Sequence, residues 1–450
     1  MMGQIFVYGL TFGGAGVALV RPYYGLLIYI LFAVLRPDHL WHWVSLPSNS
    51  SRIVALATLI GWALAGFSSL RFGRAKACAF LFLGFWLWAL ASTLLVAQNQ
   101  ERAFWYLETI AKILLPFLVG TTIITRMWQV RLLAWTIVGG LSYVAFELNL
   151  QYYGGYNRLR DIGFGSMDNN SFAIALDCVI GLALMLGLTS RYLWQKGIAL
   201  LAAVVMMNAV FFSDSRGGML GLMFTGLMAF LLIPKKPIHY AMFVVMLMVG
   251  FRLMGEEATD RFVTAFADAE ERDESAQSRL DLWTDCFDVI QKNPIFGVGP
   301  ENWGDVAPNY GWPHGKYAHS LWVQTGTETG VVGLGLLLGF YAVCLWQMWR
   351  MVYILPNIPD PLRDVGRMVI AALVGFAIPA QFVSLWGLEI PYYVVLLGAV
   401  AYKVAAYEAA EAEEEQWEDW EYEPTHGWSP QPHGYPDPRY GARPTETVIG

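Results

Sequence analysis

The sequence predicts an all-α polytopic membrane protein with about 12 or 13 transmembrane helices and one large extracytoplasmic loop between late helices. Three observations favour this class. Only 14% of the 450 residues are charged, whereas a soluble domain carries about 25%. Apolar runs long enough to cross a bilayer recur along most of the chain. Much of the acidic charge lies outside those runs, in residues 255–318 and in the C-terminal tail.

The apolar runs define the predicted spans. They lie near residues 4–20, 22–35, 53–70, 77–97, 103–124, 129–150, 171–189, 196–213, 217–233, 238–254, 320–349, 366–386 and 389–408. The first two are short and could form one re-entrant hairpin, which leaves the number open between 12 and 13. The N-terminus has no basic region and no small-residue cleavage site, so we expect the first run to be retained.

Orientation follows from the basic residues of the short loops. Every second loop carries them: Arg71, Arg74, Lys76, Arg126, Arg131, Arg191, Lys196, Lys235, Lys236, Arg350, Arg363 and Arg367. The positive-inside tendency assigns these loops to the cytoplasm, so we expect a protein of the cytoplasmic (inner) membrane with a cytoplasmic tail. The other loops are then extracytoplasmic: 36–52, 98–102, 151–170, 214–216, 255–318 and the turn near Gly387. The N-terminus lies outside if all spans cross, and inside if the first two do not both cross.

This pattern predicts four parts. A transmembrane bundle over 1–254 is followed by a loop domain over 255–318, by further transmembrane helices over 319–408 and by a tail over 409–450. The loop opens with the acidic stretch Asp268–Glu274. An amphipathic helix is then predicted, which ends at Asn293-Pro294 and whose apolar stripe comprises Leu280, Trp283, Phe287 and Ile290. That stripe could lie on the bundle or in the lipid interface. The acidic, Pro- and Trp-rich tail is predicted to be disordered.

Several kinds of site are not indicated. The four cysteines, Cys78, Cys178, Cys286 and Cys344, have no metal-ligand spacing and predict no disulfide framework. No histidine–carboxylate spacing, including that of His314, indicates a metal site. We expect no metal and no cofactor. The net charge of −7 and the lack of a suitable basic patch argue against a nucleic-acid partner.

Cationic side chains converge on the predicted extracytoplasmic side. Arg158, Arg160, Arg216, Arg279 and His319 all fall in loops or at helix ends there. Such residues at membrane depth are expensive and usually functional. Several arginines on one face favour a pyrophosphate or another anionic lipid head group.

Each position also has a structural alternative. Arg158 and Arg160 precede a glycine-rich turn, in which Asp168 or Asn170 could cap the next helix and its dipole would favour an anion; the alternative is an interfacial anchor. Arg216 joins two spans with almost no loop, and the alternative there is an ion pair with Asp214.

The same choice applies to the later candidates. Arg279 alone would be an ordinary surface residue, paired with a neighbour such as Asp285. His319 could take a proton from an attacking hydroxyl near neutral pH, or it could be a polar helix-end residue. Glu328 lies deeper and should face protein and pair, because a carboxylate is costly in lipid.

The order of these motifs resembles the O-antigen ligase and polymerase superfamily. The matching elements are Arg160, the segment Gly163–Asn170, Ser215-Arg216-Gly217-Gly218, Arg279-Leu280-Asp281-Leu282-Trp283, Asn293–Gly299 and His319-Ser320-Leu321 to Glu328-Thr329-Gly330. The N-terminal Arg21-Pro22-Tyr23-Tyr24-Gly25 and Leu35-Arg36-Pro37 resemble the exosortase-associated O-glycosylation ligase branch. The resemblance covers roughly residues 1–400 and is most specific from Arg279 to Gly333.

The resemblance implies a metal-independent inverting glycosyltransferase of the extracytoplasmic face. Such an enzyme moves a glycan from an undecaprenyl-pyrophosphate carrier to a hydroxyl or amine of a lipid, polysaccharide or protein acceptor. It implies that Arg216 and Arg279 hold the pyrophosphate, with Arg158 or Arg160 assisting, and that His319 activates the acceptor. Asn170 and Glu328 would be further substrate-binding residues.

Three alternatives stay open at this point. The first is a repeat-unit polymerase of the same superfamily. The second is a transporter of an anionic lipid-linked sugar, against which stands the lack of a clear inverted repeat. The third is a non-catalytic scaffold that recruits a partner through the tail.

Overall fold

The computed structural model of the protein describes residues 2–43, 49–241, 243–245, 248, 274–385 and 387–421. Within these ranges the chain is helical and contains no named strand. The α-helices are α1 (Met2–Tyr8), α2 (Gly14–Val20), α3 (Pro22–Leu35), α4 (Pro37–Leu40), α5 (Ser50–Leu64), α6 (Lys76–Leu95), α7 (Gln100–Ile123), α8 (Met127–Tyr153), α9 (Arg158–Ile162), α10 (Asn169–Thr189), α11 (Leu193–Phe212), α12 (Arg216–Leu232), α13 (Glu274–Lys292), α14 (Trp303–Val306), α15 (Leu321–Trp349), α16 (Asp360–Ala377) and α17 (Ile390–Glu421).

Shorter helical turns connect some of these elements. Gly9–Gly13 and Arg350–Ile354 are π-helical, and Gly66–Leu70, Gly73–Ala75, Ala307–Tyr310 and Pro379–Gln381 are 3₁₀ turns. The chain divides into two compact units, Met1–Tyr407 and Glu408–Gly450. Of the second unit, the structure describes residues 408–421, which are helical.

Eight helical segments within the described residues are long and apolar enough to cross a membrane, which confirms an all-α polytopic membrane protein. They are Gly3–Val20, Gly73–Leu95, Gln100–Ile123, Met127–Tyr153, Asn169–Thr189, Leu193–Phe212, Leu321–Ile354 and Ile390–Glu408. The remaining predicted spans form helices that are shorter or more charged, namely α3, α5, α12 and α16. The predicted span 238–254 and the acidic stretch Asp268–Glu274 lie largely outside the described residues.

Helix α10 lies at the centre of the bundle. It packs against α8, α11, α12 and α16, and its side chains are buried on nearly all sides. Such a helix has no polar face because protein rather than lipid surrounds it. Gly181 makes the close approach possible, since a Cβ there would lie 2.8 Å from the backbone nitrogen of Ala372 on α16.

The loop between the late helices has a small core of its own. It comprises Leu282, Cys286, Val289, Trp303, Ala307, Ala318 and Val323. The predicted loop helix is present as α13 and ends before Asn293-Pro294, as expected. Leu280 and Phe287 of the predicted stripe are exposed, so the stripe as a whole does not pack on the bundle. The face that includes Leu282 is buried instead, because α13 packs against the start of α15.

The tail differs from its prediction over residues 409–421. These residues are helical, because α17 continues to Glu421. Their sequence is dominated by alanine and glutamate, which are strong helix formers and favour continuation of the helix. The predicted disorder of residues 422–450 lies outside the described part of the chain.

The two ends of α6 contact different parts of the chain. At its first end, Arg74 lies over the ring of Tyr402, and Lys403 Nζ donates to the carbonyl oxygen of Arg71. At its last end, the amide nitrogen of Asn99 donates to Asn302 Oδ1 at 2.7 Å. The late loop therefore lies at the end of α6 that is remote from the basic turn at residues 71–76.

Candidate functional site

His319 occupies a strained position directly before α15. Its φ is 50°, a left-handed conformation that non-glycine residues adopt at an energetic disadvantage and that clusters at functional sites. Ser320 sets the start of the helix, because its Oγ accepts the amide hydrogen of Val323. The carbonyl oxygen of Ala318 accepts a hydrogen bond from Trp283 Nε1 at 2.8 Å. His319 is therefore held from both sides, by a helix cap and by the loop helix α13.

The charges around His319 favour a neutral imidazole. Burial, and after it the positive charges of Lys316 and Arg279, lower the pKa of His319, while Asp168 acts in the opposite direction. A neutral imidazole near pH 7 can accept a proton. Arg279 of α13 and Asp168 of the loop before α10 thus act electrostatically on His319, although they lie far from it in the sequence.

A tight turn forms the loop before α10. Phe164 and Met167 exchange two backbone hydrogen bonds of 3.0 Å across Gly165 and Ser166, which both have positive φ. The prediction that Asp168 or Asn170 caps α10 is confirmed for Asp168, whose Oδ1 accepts from the amide of Ser171 at 2.8 Å.

Asn170 has a different partner, because its Oδ1 accepts a hydrogen bond from Ser215 Oγ at 2.8 Å. Ser215 in turn caps α12 by accepting from the amide of Gly218 at 3.0 Å. Gly218 permits the contact between the two helices, since a Cβ there would lie 2.5 Å from the Cβ of Ala173. Two helix N-termini are therefore fixed side by side, and Arg216 is the first residue of α12. Paired N-termini concentrate positive dipole ends where an anion would be stabilised.

The structure separates Arg158 from Arg160. Arg158 is buried, donates from Nη2 to the carbonyl oxygen of His39 at 3.1 Å and lies over the ring of Phe164. Its position indicates that it anchors the N-terminal segment onto this loop. Arg160 is exposed and forms ion pairs with Asp161 at 3.2 Å and Asp214 at 3.8 Å. Asp214, the expected partner of Arg216, thus forms an ion pair with Arg160.

Arg279 is half-buried on α13. The expected neighbour Asp285 has another partner, because its Oδ2 accepts from Trp312 Nε1 at 2.7 Å. The positive charge of Arg279 is one of those that lower the pKa of His319.

Glu328 is buried in protein and paired, in agreement with its prediction. Its Oε1 accepts from Gln324 Nε2 at 3.1 Å, and its carboxylate also receives the backbone amides of Glu301 and Trp303. Helix α15 is interrupted two residues later at Gly330, where φ is 71° and ψ is −177°.

The Asn293–Gly299 motif fits into that interruption. The amide of Val331 donates to the carbonyl oxygen of Pro294 at 2.8 Å. The amide of Gly299 donates to the carbonyl oxygen of Glu328 at 2.9 Å. A Cβ on Gly330 would lie 2.1 Å from the carbonyl oxygen of Ile295. Glycine at position 330 thus allows two backbone segments to lie in contact, and this contact positions Glu328.

Sequence reasoning missed Glu301 and Arg102. Glu301 is buried, has a φ of 57°, and burial raises the pKa of its carboxyl to about 7, although Arg102 acts in the opposite direction. Arg102 pairs with Asp305 at 3.1 Å. Arg102, in the first turn of α7, falls in the predicted short loop 98–102, which was assigned to the same side as the site, and that assignment was the available signal.

Parts of the chain match known families. Residues 201–338 match the family described as O-Antigen ligase. Residues 2–173 match a family of unknown function, DUF5935. No curated protein matches the chain. The O-Antigen ligase match spans Arg216, Arg279, His319 and Glu328, and it supports a place for this membrane protein in the O-antigen ligase superfamily.

Proposed function

We propose that the protein is a glycan ligase that transfers a glycan from an undecaprenyl-pyrophosphate carrier to an acceptor on the extracytoplasmic face of the cytoplasmic membrane. The observation that carries this proposal is the hydrogen bond from Trp283 to Ala318, which ties the helix of Arg279 to the residue before His319. The N-termini of α10 and α12, joined through Asn170 and Ser215, support it. A cationic pocket for a pyrophosphate and a neutral imidazole for an acceptor are the two elements that such a transfer needs.

In the proposed reaction, an acceptor hydroxyl attacks the anomeric carbon of the donor sugar from the side opposite the carrier. The new bond joins the acceptor oxygen to that carbon, and the bond from carbon to the pyrophosphate oxygen breaks. The electron pair leaves with undecaprenyl pyrophosphate, whose charge Arg216 and Arg279 stabilise. His319 takes the hydroxyl proton. The configuration at the anomeric carbon is inverted.

The contacts of Arg160 and Asn170 indicate how each would assist in binding the pyrophosphate. We assign Arg160 to the pyrophosphate in preference to Arg158, because Arg160 is exposed whereas Arg158 is buried against His39 and Phe164. Asn170 holds the α12 N-terminus through Ser215 and acts on the anion through that helix. The transfer is proposed to need no metal, since arginine clamps can stabilise a leaving pyrophosphate.

The proposed sidedness rests on the basic turns. The turn at residues 71–76 lies at the end of α6 remote from the site, as the positive-inside tendency requires for an extracytoplasmic site. The N-terminal motif Arg21–Gly25 favours ligation onto protein or polysaccharide, by its resemblance to the exosortase-associated branch. A repeat-unit polymerase is the second candidate.

The test is transfer by the reconstituted full-length protein, from an extract of native lipid-linked glycan with EDTA present. We expect product from wild type, loss of product in His319→Ala, and retention in His239→Ala, a histidine of the basic loop after α12. Full activity of Arg216→Ala would overturn the leaving-group role. Glycolipid that crosses the bilayer with no bond formed would replace the proposal by transport.

A further inference from the structure

The motif Leu35-Arg36-Pro37 lies where α3 meets α4, and the proposed reaction gives it no role. Arg36 ends α3 with a φ of 43° and a ψ of 66°, in the left-handed region, and Pro37 begins α4. A non-glycine residue keeps such a conformation only where the surrounding contacts hold it, and such residues cluster at functional sites. The contacts of this corner, residues 36–39, therefore indicate what it does.

Arg36 binds the tight turn before α10. Its Nη1 donates to the carbonyl oxygen of Gly165 at 2.6 Å. The side chain also lies against Gly165, since a Cβ there would lie 2.5 Å from Arg36 Cδ. Gly165 has a φ of 63°, so a side chain at this position would be strained as well as crowded. Glycine at position 165 thus gives Arg36 room to contact the turn.

The second terminal nitrogen of Arg36 lies near the start of α17. Nη2 is 3.6 Å from Glu389 Oε1, and the two side chains are 26% and 22% exposed. The carboxylate of Glu389 is itself held, because its Oε2 accepts from the hydroxyl of Tyr393 at 2.9 Å. A guanidinium is planar and presents its donors in a rigid fork, so partners on two nitrogens fix its orientation. Arg36 therefore bridges the turn before α10 and the start of α17.

His39 provides further contacts between the corner and this turn. Its carbonyl oxygen accepts from Arg158 Nη2 at 3.1 Å, and its Nε2 lies 3.3 Å from Ser166 Oγ. Two consecutive residues of the turn, Gly165 and Ser166, are thus in polar contact with the corner, and both have positive φ. A strained turn persists where its surroundings over-determine it, and the corner supplies that support.

The partners of Arg36 argue against a direct role in binding the pyrophosphate. The carbonyl oxygen of Gly165 and the carboxylate of Glu389 lie at its terminal nitrogens and would disfavour an anion there. An influence on the reaction would instead pass through the turn. The turn leads directly to Asp168, which caps α10, and to Asn170, which holds the N-terminus of α12.

We propose that Arg36 is a positioning residue that holds the turn at residues 164–167 and, through it, the N-termini of α10 and α12. Its importance for transfer rests on the proposed function. Its hold on the turn does not, because that follows from the contacts with Gly165 and Glu389.

The first experiment measures the hold on the turn without transfer. Hydrogen exchange of the full-length protein in lipid nanodiscs is followed by mass spectrometry over the peptide that contains residues 163–170. Within it, the amide of Met167 donates to the carbonyl oxygen of Phe164. We expect Arg36→Gln to speed exchange of this peptide about tenfold, because the turn loses a charge-assisted hydrogen bond.

The control is Arg52→Gln, which changes an exposed arginine of α5 and should leave this exchange as in wild type. Melting temperatures verify that each variant folds. If Arg36→Gln does not fold, Glu389→Gln, which weakens the same bridge, is tested in its place. Exchange equal to that of wild type in the tested variant would overturn the proposal.

The second experiment separates the positioning role from the proposed function. In the transfer assay, Arg36→Gln should lower kcat about tenfold and leave the acceptor KM within about twofold of wild type. Arg36→Lys keeps the charge and should restore part of the rate. Normal kcat in Arg36→Gln despite faster exchange would overturn the positioning role and leave the proposed function standing. Faster exchange in Arg36→Gln, together with a wild-type protein that forms no product, would overturn the proposed function and leave the hold on the turn intact.

Discussion

Trp283 and Ala318 are joined by a hydrogen bond of 2.8 Å from the indole nitrogen to the carbonyl oxygen. Trp283 lies one helical turn after Arg279 on α13, and Ala318 directly precedes His319. One bond thus ties the helix that carries the arginine to the residue next to the histidine. We infer that Trp283 is a positioning residue for both.

Replacing Trp283 with phenylalanine should lower kcat about tenfold with little change in donor KM. The ring would still fill its place in the loop core, but Ala318 would lose its donor and His319 its orientation, and misplacement by about 1 Å can reduce a rate up to 10²-fold. Steady-state kinetics of the reconstituted protein measure this. Trp194→Phe, on an exposed residue of α11, is the control. Equal kcat in both variants would contradict the positioning role.

The acid limb of the pH–rate profile should lie below the ordinary pKa of histidine. Burial, Lys316 and Arg279 lower the pKa of His319, so the imidazole stays neutral at neutral pH and activity falls only as pH drops through the lowered value. Lys316→Gln removes one of the cations and should move this limb to higher pH. The measurement is kcat/KM against pH for both proteins. A limb that moves to lower pH in the variant would be inconsistent with the proposed environment.

Arg158 and Arg160 should have opposite phenotypes. Arg158→Met removes a buried hydrogen bond to His39 and the contact with Phe164, and we expect a loss of stability of about 1–3 kcal/mol. Arg160→Ala removes exposed ion pairs, which contribute little to stability, but it should raise the donor KM. Denaturant unfolding and donor titration distinguish the two. The assignment fails if Arg160→Ala leaves donor binding intact.

Gly330→Ala should destabilise the protein by at least about 2 kcal/mol, because the residue has a φ of 71° and its Cβ would meet the carbonyl oxygen of Ile295. Gly335→Ala is the matched control, since it lies on the same helix with open space around it. There we expect a change of about 1 kcal/mol or less. Unfolding midpoints of the two purified variants decide the question. Similar midpoints would show that the interruption of α15 tolerates a side chain.

Local signals allowed part of this structure to be predicted. Asp168 before α10 and Asn293-Pro294 after α13 act on backbone groups within a few residues, so their effects can be read from the sequence. The burial of Glu328 was also predictable, because lipid provides no partner for a carboxylate. The exposure of Phe287 was not, because it depends on which side of α13 packs against α15.

The sequence by itself determined the membrane class and the order of the helices, and it indicated the cationic residues of the candidate site, because hydropathy and helix-end chemistry act over short stretches of chain. Only the tertiary structure decided that Arg158 is buried while Arg160 is exposed, and that Glu301 and Trp105 line one cavity. Glu301 and Trp105 lie almost two hundred residues apart. Their meeting depends on the packing of α7, α15 and the loop that fills the interruption at Gly330, and packing between distant segments leaves no periodic pattern in a single sequence.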